Sequence, residues 1–130
     1  LTIDSEISPN IFVDGDESAL KRLFLILLDN ACKYSESPGG ITIKLTCRGM
    51  HAILSVHNTG EPIPFGALPH IFDRFYRADA SRVRAEGGYG LGLAIAKTIA
   101  DAHSAAITAS SNADMGTTFT FEIPLSKDSN

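Results

Sequence analysis

The sequence predicts an α+β fold in two layers, a mixed and mostly antiparallel sheet covered on one face by helices. Three observations carry that expectation. Two segments repeat apolar residues every three and four positions, the period of a helix. Five others alternate at period two or run apolar over strand lengths, and four of these form adjacent pairs joined by short turns. The order is therefore strand, helix, two strands, irregular stretch, helix, two strands, which places the helices together against one sheet face. Hairpin-linked strands exclude a purely parallel, doubly wound sheet.

Each element follows from its residues. Residues 2–13 alternate loosely and suit an edge strand. Asp14-Gly15-Asp16-Glu17 is a turn leading into a helix, with Asp14 and Glu17 at capping-box spacing. Leu20, Leu23, Phe24, Leu27, Leu28 and Ala31 then form one apolar helical face. Ser37-Pro38-Gly39-Gly40 breaks the helix near Ser35. Ile41, Ile43, Leu45 and Cys47 alternate with polar residues as a half-buried strand, and Ala52 to Val56 is the next, across a turn at Arg48 to His51. From Asn58 to Gly90 the pattern breaks up, apart from a short helix expected over Phe72 to Arg77. Structureless stretches of that length in a compact domain are usually functional or mobile. A second helix begins after Gly92, with Leu91, Ile95, Ile99 and Ala102 on one face. Strands follow at Ala105–Ser110 and Thr117–Ile123, the latter alternating through Phe119, Phe121 and Ile123. The sequence thus reads as one domain over residues 1–124 and a polar tail over 125–130.

Composition narrows the function classes. The chain has 130 residues, 44% hydrophobic and 20% charged, an ordinary globular balance that argues against disorder. Its net charge of −4 gives no basic face for nucleic acid or acidic membranes. The longest apolar run, Leu23 to Leu28, falls far below the roughly 18–20 residues of a membrane span. Two cysteines, Cys32 and Cys47, suit a reducing compartment rather than a disulfide framework. The four histidines are scattered, so no transition-metal site is expected. A chain that opens on Leu1 without a signal-peptide pattern reads as a piece of a longer protein.

Four features could carry chemistry. Ile26, Asn30 and Lys33 form a stripe beside the apolar face of the first helix. An amide and an ammonium one turn apart suit a cation and a phosphate, or simply a solvated helix edge. Gly87-Gly88-Tyr89-Gly90-Leu91-Gly92-Leu93 leads into a helix whose N-terminus favours anions, or else is a flexible hinge. It is neither a Walker loop nor a dinucleotide fingerprint, because no Lys-Ser or Lys-Thr follows and no βαβ unit surrounds it. Arg74, Arg77, Arg82 and Arg84 cluster just before those glycines, as a phosphate clamp or a solvated loop. Phe72 should anchor the loop to the core, while Phe75 and Tyr76 could anchor it or cover a base.

The order of these features is more specific than any of them. Leu27-Leu28-Asp29-Asn30-Ala31-Cys32-Lys33-Tyr34, Asn58-Thr59-Gly60-Glu61-Pro62-Ile63-Pro64, Ile71-Phe72-Asp73-Arg74-Phe75-Tyr76-Arg77, Gly88-Tyr89-Gly90-Leu91-Gly92-Leu93-Ala94-Ile95 and Gly116-Thr117-Thr118-Phe119 follow one another. Together they resemble the N box, first glycine box, F box, second glycine box and closing Gly-Thr turn of the ATP-binding catalytic domain of sensor histidine kinases. The resemblance covers about residues 14 to 124. The Asn-Thr-Gly followed by Ile-Pro, with Leu-Pro-x-Ile-Phe, looks most like kinases that sense heavy metals such as copper.

That resemblance implies a Bergerat-type sandwich with ATP and Mg²⁺ as cofactors and a flexible ATP lid over about residues 74–89. Asn30 would ligate Mg²⁺, and Lys33 and Tyr34 would reach the phosphates and sugar. Asn58 would face the adenine amine, Gly60 and Ile63 would shape that pocket, and Thr117 would stand near the base. Arg77 and Arg82 would clamp the phosphates, making them, with Asn30 and Lys33, the catalytic set. Gly88, Gly90 and Gly92 would form the lid hinge and the phosphate-facing helix start, with Phe75, Leu91 and Leu93 against the nucleotide. The γ-phosphoryl group would pass to a histidine on a separate dimerisation domain and on to a response regulator. Full-length relatives are membrane-anchored bacterial kinases with this domain in the cytoplasm. Positioning and charge neutralisation, the main needs of phosphoryl transfer, are what such residues supply.

Three positions depart from the family pattern. Asn58 stands where Asp is usual, so adenine is met by an uncharged amide that donates as well as accepts, and base selectivity should loosen. Pro62 replaces the second glycine of its box and stiffens the loop. Ile26 stands where the N box usually opens with Asn and where hydrolysing relatives keep a carboxylate base, so unaided hydrolysis should be slow. A serine kinase of the anti-sigma type and a nucleotide-sensing module without turnover are the alternative uses of the same fold.

Overall fold

A computed structural model describes residues 2–9, 11–34, 39–60, 62–63, 66–73, 92–112, 114 and 116–126. Strand β1 (Thr2–Ile7) precedes helix α1 (Glu17–Tyr34), then β2 (Gly40–Arg48) and β3 (His51–Asn58). After a 3-10 turn at Leu68–His70 come α2 (Gly92–Ala102), β4 (Ala106–Asn112) and β5 (Gly116–Pro124). The strands form one sheet in the order β1-β2-β3-β5-β4. Only the edge pair β1–β2 is parallel, and the other three are antiparallel. The two-layer α+β expectation is met.

The core lies between the helices and one sheet face. Leu23, Leu27 and Ala31 of α1 and Ala96 and Ala100 of α2 are buried against Ile41, Val56, Phe119, Phe121 and Ile123. Register aligns the inner-facing side chains into rows. Leu45, Leu54, Phe121 and Ile107 make one, and Ile43, Val56, Phe119 and Ala109 the next. Removing such apolar area from water is the main stabilising term, about 1.5–3 kcal/mol per large side chain.

Three boundaries differ from the sequence expectation. The helix starts at Glu17, so the residue before it, Asp16, is the cap: its Oδ1 accepts the Ala19 N–H at 3.2 Å. Asp14 lies too far upstream for that role. The first strand ends at Ile7 rather than near residue 13, because Ile11 and Val13 turn away to pack on the core. Leu125 and Ser126, expected in a polar tail, are tied down. The Leu125 N–H donates to Met50 O at 2.8 Å and the Ser126 N–H to Phe12 O at 2.7 Å. Residues 127–130 lie outside the described residues. Of the helix expected over Phe72 to Arg77, only Phe72 and Asp73 are described, at a turn and a bend, and Arg74 to Arg77 lie outside the described residues. A separate 3-10 turn precedes it at Leu68–His70, where Pro69 occupies the first turn that tolerates it. Buried Ala67 and Ile71 and the Phe72 ring hold this segment down. Phe72 meets Phe119 edge-to-face, with centroids 6.1 Å apart, and so anchors the segment as expected.

His103 joins the two helices. Its Nδ1–H donates to Ile99 O at 2.8 Å, which leaves Nε2 as acceptor for the Asp16 N–H at 3.0 Å. One imidazole therefore ties the C-terminus of α2 to the first turn of α1. His103→Ala is expected to cost about 1–3 kcal/mol, two hydrogen bonds at about 0.5–1.5 each. Urea unfolding checks this, and a change below about 0.5 kcal/mol would show that the bridge carries no stability. Among the described residues no helix is long and apolar enough to cross a membrane.

Candidate functional site

One row of the inner sheet face breaks the apolar pattern. Beyond Val56, Phe119 and Ala109, the next inward positions are Asn58, Thr117 and Ser111, directly opposite one another across β3, β5 and β4. Asn58 is 2% and Thr117 4% exposed. Polar groups buried this deeply need partners.

Their hydrogen bonds define what they present. The Asn58 Nδ2 donates to Thr59 O at 3.1 Å. A carbonyl can only accept, so this bond identifies Nδ2 and Oδ1 without ambiguity. Among the described residues nothing donates to Oδ1, which is left as a buried, unpaired acceptor. Leaving such an atom unsatisfied costs about 1–3 kcal/mol, a cost that a bound donor would remove.

Thr117 Oγ1 lies 2.7 Å from Ser111 Oγ, and Ser111 Oγ also accepts the Ile63 N–H at 2.8 Å. Ile63 is partly buried on the core, and Gly60 just before it adopts a φ of 138°, which L side chains rarely reach. Thr59 fixes the other flank. Its N–H donates to Gly40 O at 3.1 Å and its Oγ1 accepts the Gly40 N–H at 3.0 Å. Asn58, Gly60 and Ile63 thus meet Thr117, more than fifty residues on, at one end of the sheet. Ser111 was missed by the sequence reading, which ended that strand at Ser110. Extending the alternation Ile107, Ala109, Ser111 by one step would have placed it on the inner face.

The helices supply a second group. Asn30 is half-buried, and its side chain has no hydrogen-bond partner among the described residues. Lys33 pairs with Asp29 at 3.3 Å, the two side chains 36% and 66% exposed. An exposed pair of that kind is worth at most about 1 kcal/mol and exchanges readily for another anion. Ile26, one turn before Asn30, packs on the core. Its Cγ2 lies 3.6 Å from where a Cβ would stand on Gly92. The N-terminus of α2, with its positive dipole end, therefore abuts the stripe at Ile26. Leu93 is partly buried against the core. Tyr34 is the last residue of α1. Phe75, Arg77, Arg82, Gly88, Gly90, Leu91 and the expected lid lie outside the described residues. A groove between α1 and α2, lined by Arg22, Ile95 and Ile99 among others, contains none of the expected site residues. Cys32 and Cys47 are exposed free thiols.

Comparison with known proteins agrees with this geometry. The model of the histidine kinase-, DNA gyrase B-, and HSP90-like ATPase family matches residues 15–127. The chain is 46% identical over 113 residues to the sensor histidine kinase YkoH of Bacillus subtilis, covering 87% of this chain and 24% of that protein. Among solved structures, the catalytic domain of the histidine kinase ThkA has a TM-score of 0.80 at 30% identity, over 95% of this chain and 78% of that one. Full-length ShkA in complex with AMPPNP has a TM-score of 0.83 at 27% identity, over 99% of this chain and 26% of that one. The chain spans about a quarter of the length of the curated relatives it matches. On sequence and fold together, the chain belongs to the histidine kinase-, DNA gyrase B- and HSP90-like ATPase family, in the form taken by the ATP-binding catalytic domains of sensor histidine kinases.

Proposed function

We propose that this chain binds Mg-ATP and presents the γ-phosphoryl group to a histidine on a separate helical dimerisation domain of the same kinase, from which a response regulator receives it. The observation that carries the reading is the buried Oδ1 of Asn58, an acceptor with no partner among the described residues. An exocyclic amine satisfies it. Thr117, opposite Asn58, stands beside the same base, and Gly60 and Ile63 wall it in. Family membership supports the choice of ATP.

The α1 stripe and the start of α2 suit the triphosphate end. Asn30 offers a hard oxygen to Mg²⁺, and Lys33 exchanges Asp29 for phosphate. Among the described residues no three His, Cys, Asp or Glu side chains gather around a metal. In this reading the cation is held by Asn30 together with the nucleotide it accompanies. Gly92 opens α2 and brings its N–H groups to the anion. In this reading Tyr34 reaches the sugar or phosphates. Arg77 and Arg82 close over the phosphates, Gly88 and Gly90 let the lid move, and Phe75, Leu91 and Leu93 contact the nucleotide. Bound Mg-ATP supplies the phosphoryl group, while the chain's own residues orient it and neutralise its charge. In the whole kinase the domain would lie on the cytoplasmic side of a membrane anchor.

Calorimetric titration with Mg²⁺ and a non-hydrolysable ATP analogue tests the reading, and absence of binding overturns it. Asn30→Ala is expected to weaken Mg-dependent binding by about 10–100-fold, the loss of one contact to a charged group. Stability should change by under about 1 kcal/mol, because Asn30 lies beside the apolar face and not within it. Parent-like affinity in that variant would show that Asn30 is not the metal ligand.

A further inference from the structure

Ser111 occupies a junction that the proposed roles above do not use. It lies opposite Thr117 in the β4–β5 ladder and is partly buried on the inner face of the sheet edge. A serine hydroxyl has one hydrogen and two lone pairs. One lone pair is taken by the Ile63 N–H at 2.8 Å, across 48 residues of sequence. The remaining contact is Thr117 Oγ1 at 2.7 Å. If Ser111 donates its hydrogen there, the buried Thr117 hydroxyl keeps its own hydrogen for something else. Beside Thr117 stands the Asn58 acceptor, its identity set by the bond to Thr59 O.

We propose that Ser111 is a positioning residue for base selection: its hydroxyl ties the Ile63 segment to β4 and holds Thr117 as a donor beside the Asn58 acceptor. The row then presents acceptor next to donor. A 6-aminopurine edge offers the complement, an amine donor beside a ring-nitrogen acceptor. A 6-oxopurine offers the reverse, an oxygen acceptor beside an N–H donor, and leaves two buried groups facing their own kind. Such mismatches are costly because the unpaired groups are desolvated. Selection is thus set by a residue on the sheet edge, acting through Thr117, and this rests on the reading of the row as the base pocket.

The test compares Ser111→Ala and Ser111→Thr with the parent chain. Calorimetry with AMPPNP and with GMPPNP, both with Mg²⁺, gives the two affinities, and amide exchange at Ile63 is measured without ligand. Ser111→Ala is expected to weaken AMPPNP about 3–10-fold, the scale of one lost hydrogen bond. It should weaken GMPPNP less, so that the preference between them narrows. Exchange at the Ile63 amide should quicken by a similar factor. Ser111→Thr keeps the hydroxyl and should restore both the preference and the protection. Equal loss for both nucleotides, or an unchanged preference, overturns the role of Ser111 while leaving the pocket reading standing. A parent chain that does not bind AMPPNP, or does not prefer it, overturns the pocket reading and this proposal with it.

Discussion

Mixed with radiolabelled ATP and Mg²⁺, the chain is expected to bind nucleotide and take up no label. Adding the histidine-bearing helical domain is expected to yield acid-labile label on that domain. The absence of self-labelling follows from where the four histidines sit. His57 lies between Val56 and Asn58, both inward-facing, so strand alternation turns it to the outer face. His51 shares that outer parity and lies 4.0 Å from Glu122. His70 is exposed and bonded to Asp73 at 3.1 Å. His103 has both ring nitrogens engaged between the helices. None approaches the Asn58–Thr117 row or the Asn30 stripe as a nucleophile must. Water is the other acceptor. At the family's base position stands Ile26, packed on the core beside the start of α2, and it cannot take a proton. A missing general base costs about 10²–10⁴-fold in rate, so turnover by the chain alone should be slower than transfer by that order. Acid-stable label on this chain would sink the histidine-kinase reading and favour the serine-kinase alternative.

Gly116→Ala is expected to cost about 3–5 kcal/mol, as the sum of two effects. Gly116 has a φ of +82°, where an L side chain is strained. A Cβ there would also stand 2.3 Å from the carbonyl oxygen of Asn58, in the adjacent strand. The obstacle is backbone, so β3 and β5 must part at the row that carries Asn58 and Thr117. A loss of this size is a large share of the roughly 5–15 kcal/mol that holds a domain folded. Whatever remains folded should bind nucleotide poorly, since the same displacement moves the Asn58 side chain. Urea unfolding measures the stability and calorimetry the binding. A cost below about 1 kcal/mol would show that the strands accommodate the methyl group.

Features that depend on a short stretch of chain were legible in the sequence. Leu23, Leu27 and Ala31 announce the buried face of α1 by spacing alone, and Phe119, Phe121 and Ile123 announce β5. The antiparallel β2–β3 and β4–β5 pairs followed from turn residues between adjacent strands. The candidate site residues Asn58 and Thr117 follow from the resemblance of ordered motifs. Their neighbourhood was not, because it is assembled by register. Asn58, Thr117 and Ser111 come from three strands, and the Ile63 N–H reaches Ser111 across 48 residues. No local period reports such a bond.

The sequence by itself therefore determined the class of fold, the helical and strand faces, and the motif order that marks the family. Tertiary structure alone decided that β1 returns parallel to β2, that Asp16 caps α1, and that Leu125 and Ser126 join the body of the domain. It also decided which atom of the Asn58 amide stays unpaired and that Ser111 stands behind Thr117. The physical reason is one of range. Side-chain periodicity is set by the geometry of a single element and is written along the chain. Hydrogen-bond satisfaction is a property of atoms brought within about 3 Å by packing, and exists only once the strands are in register.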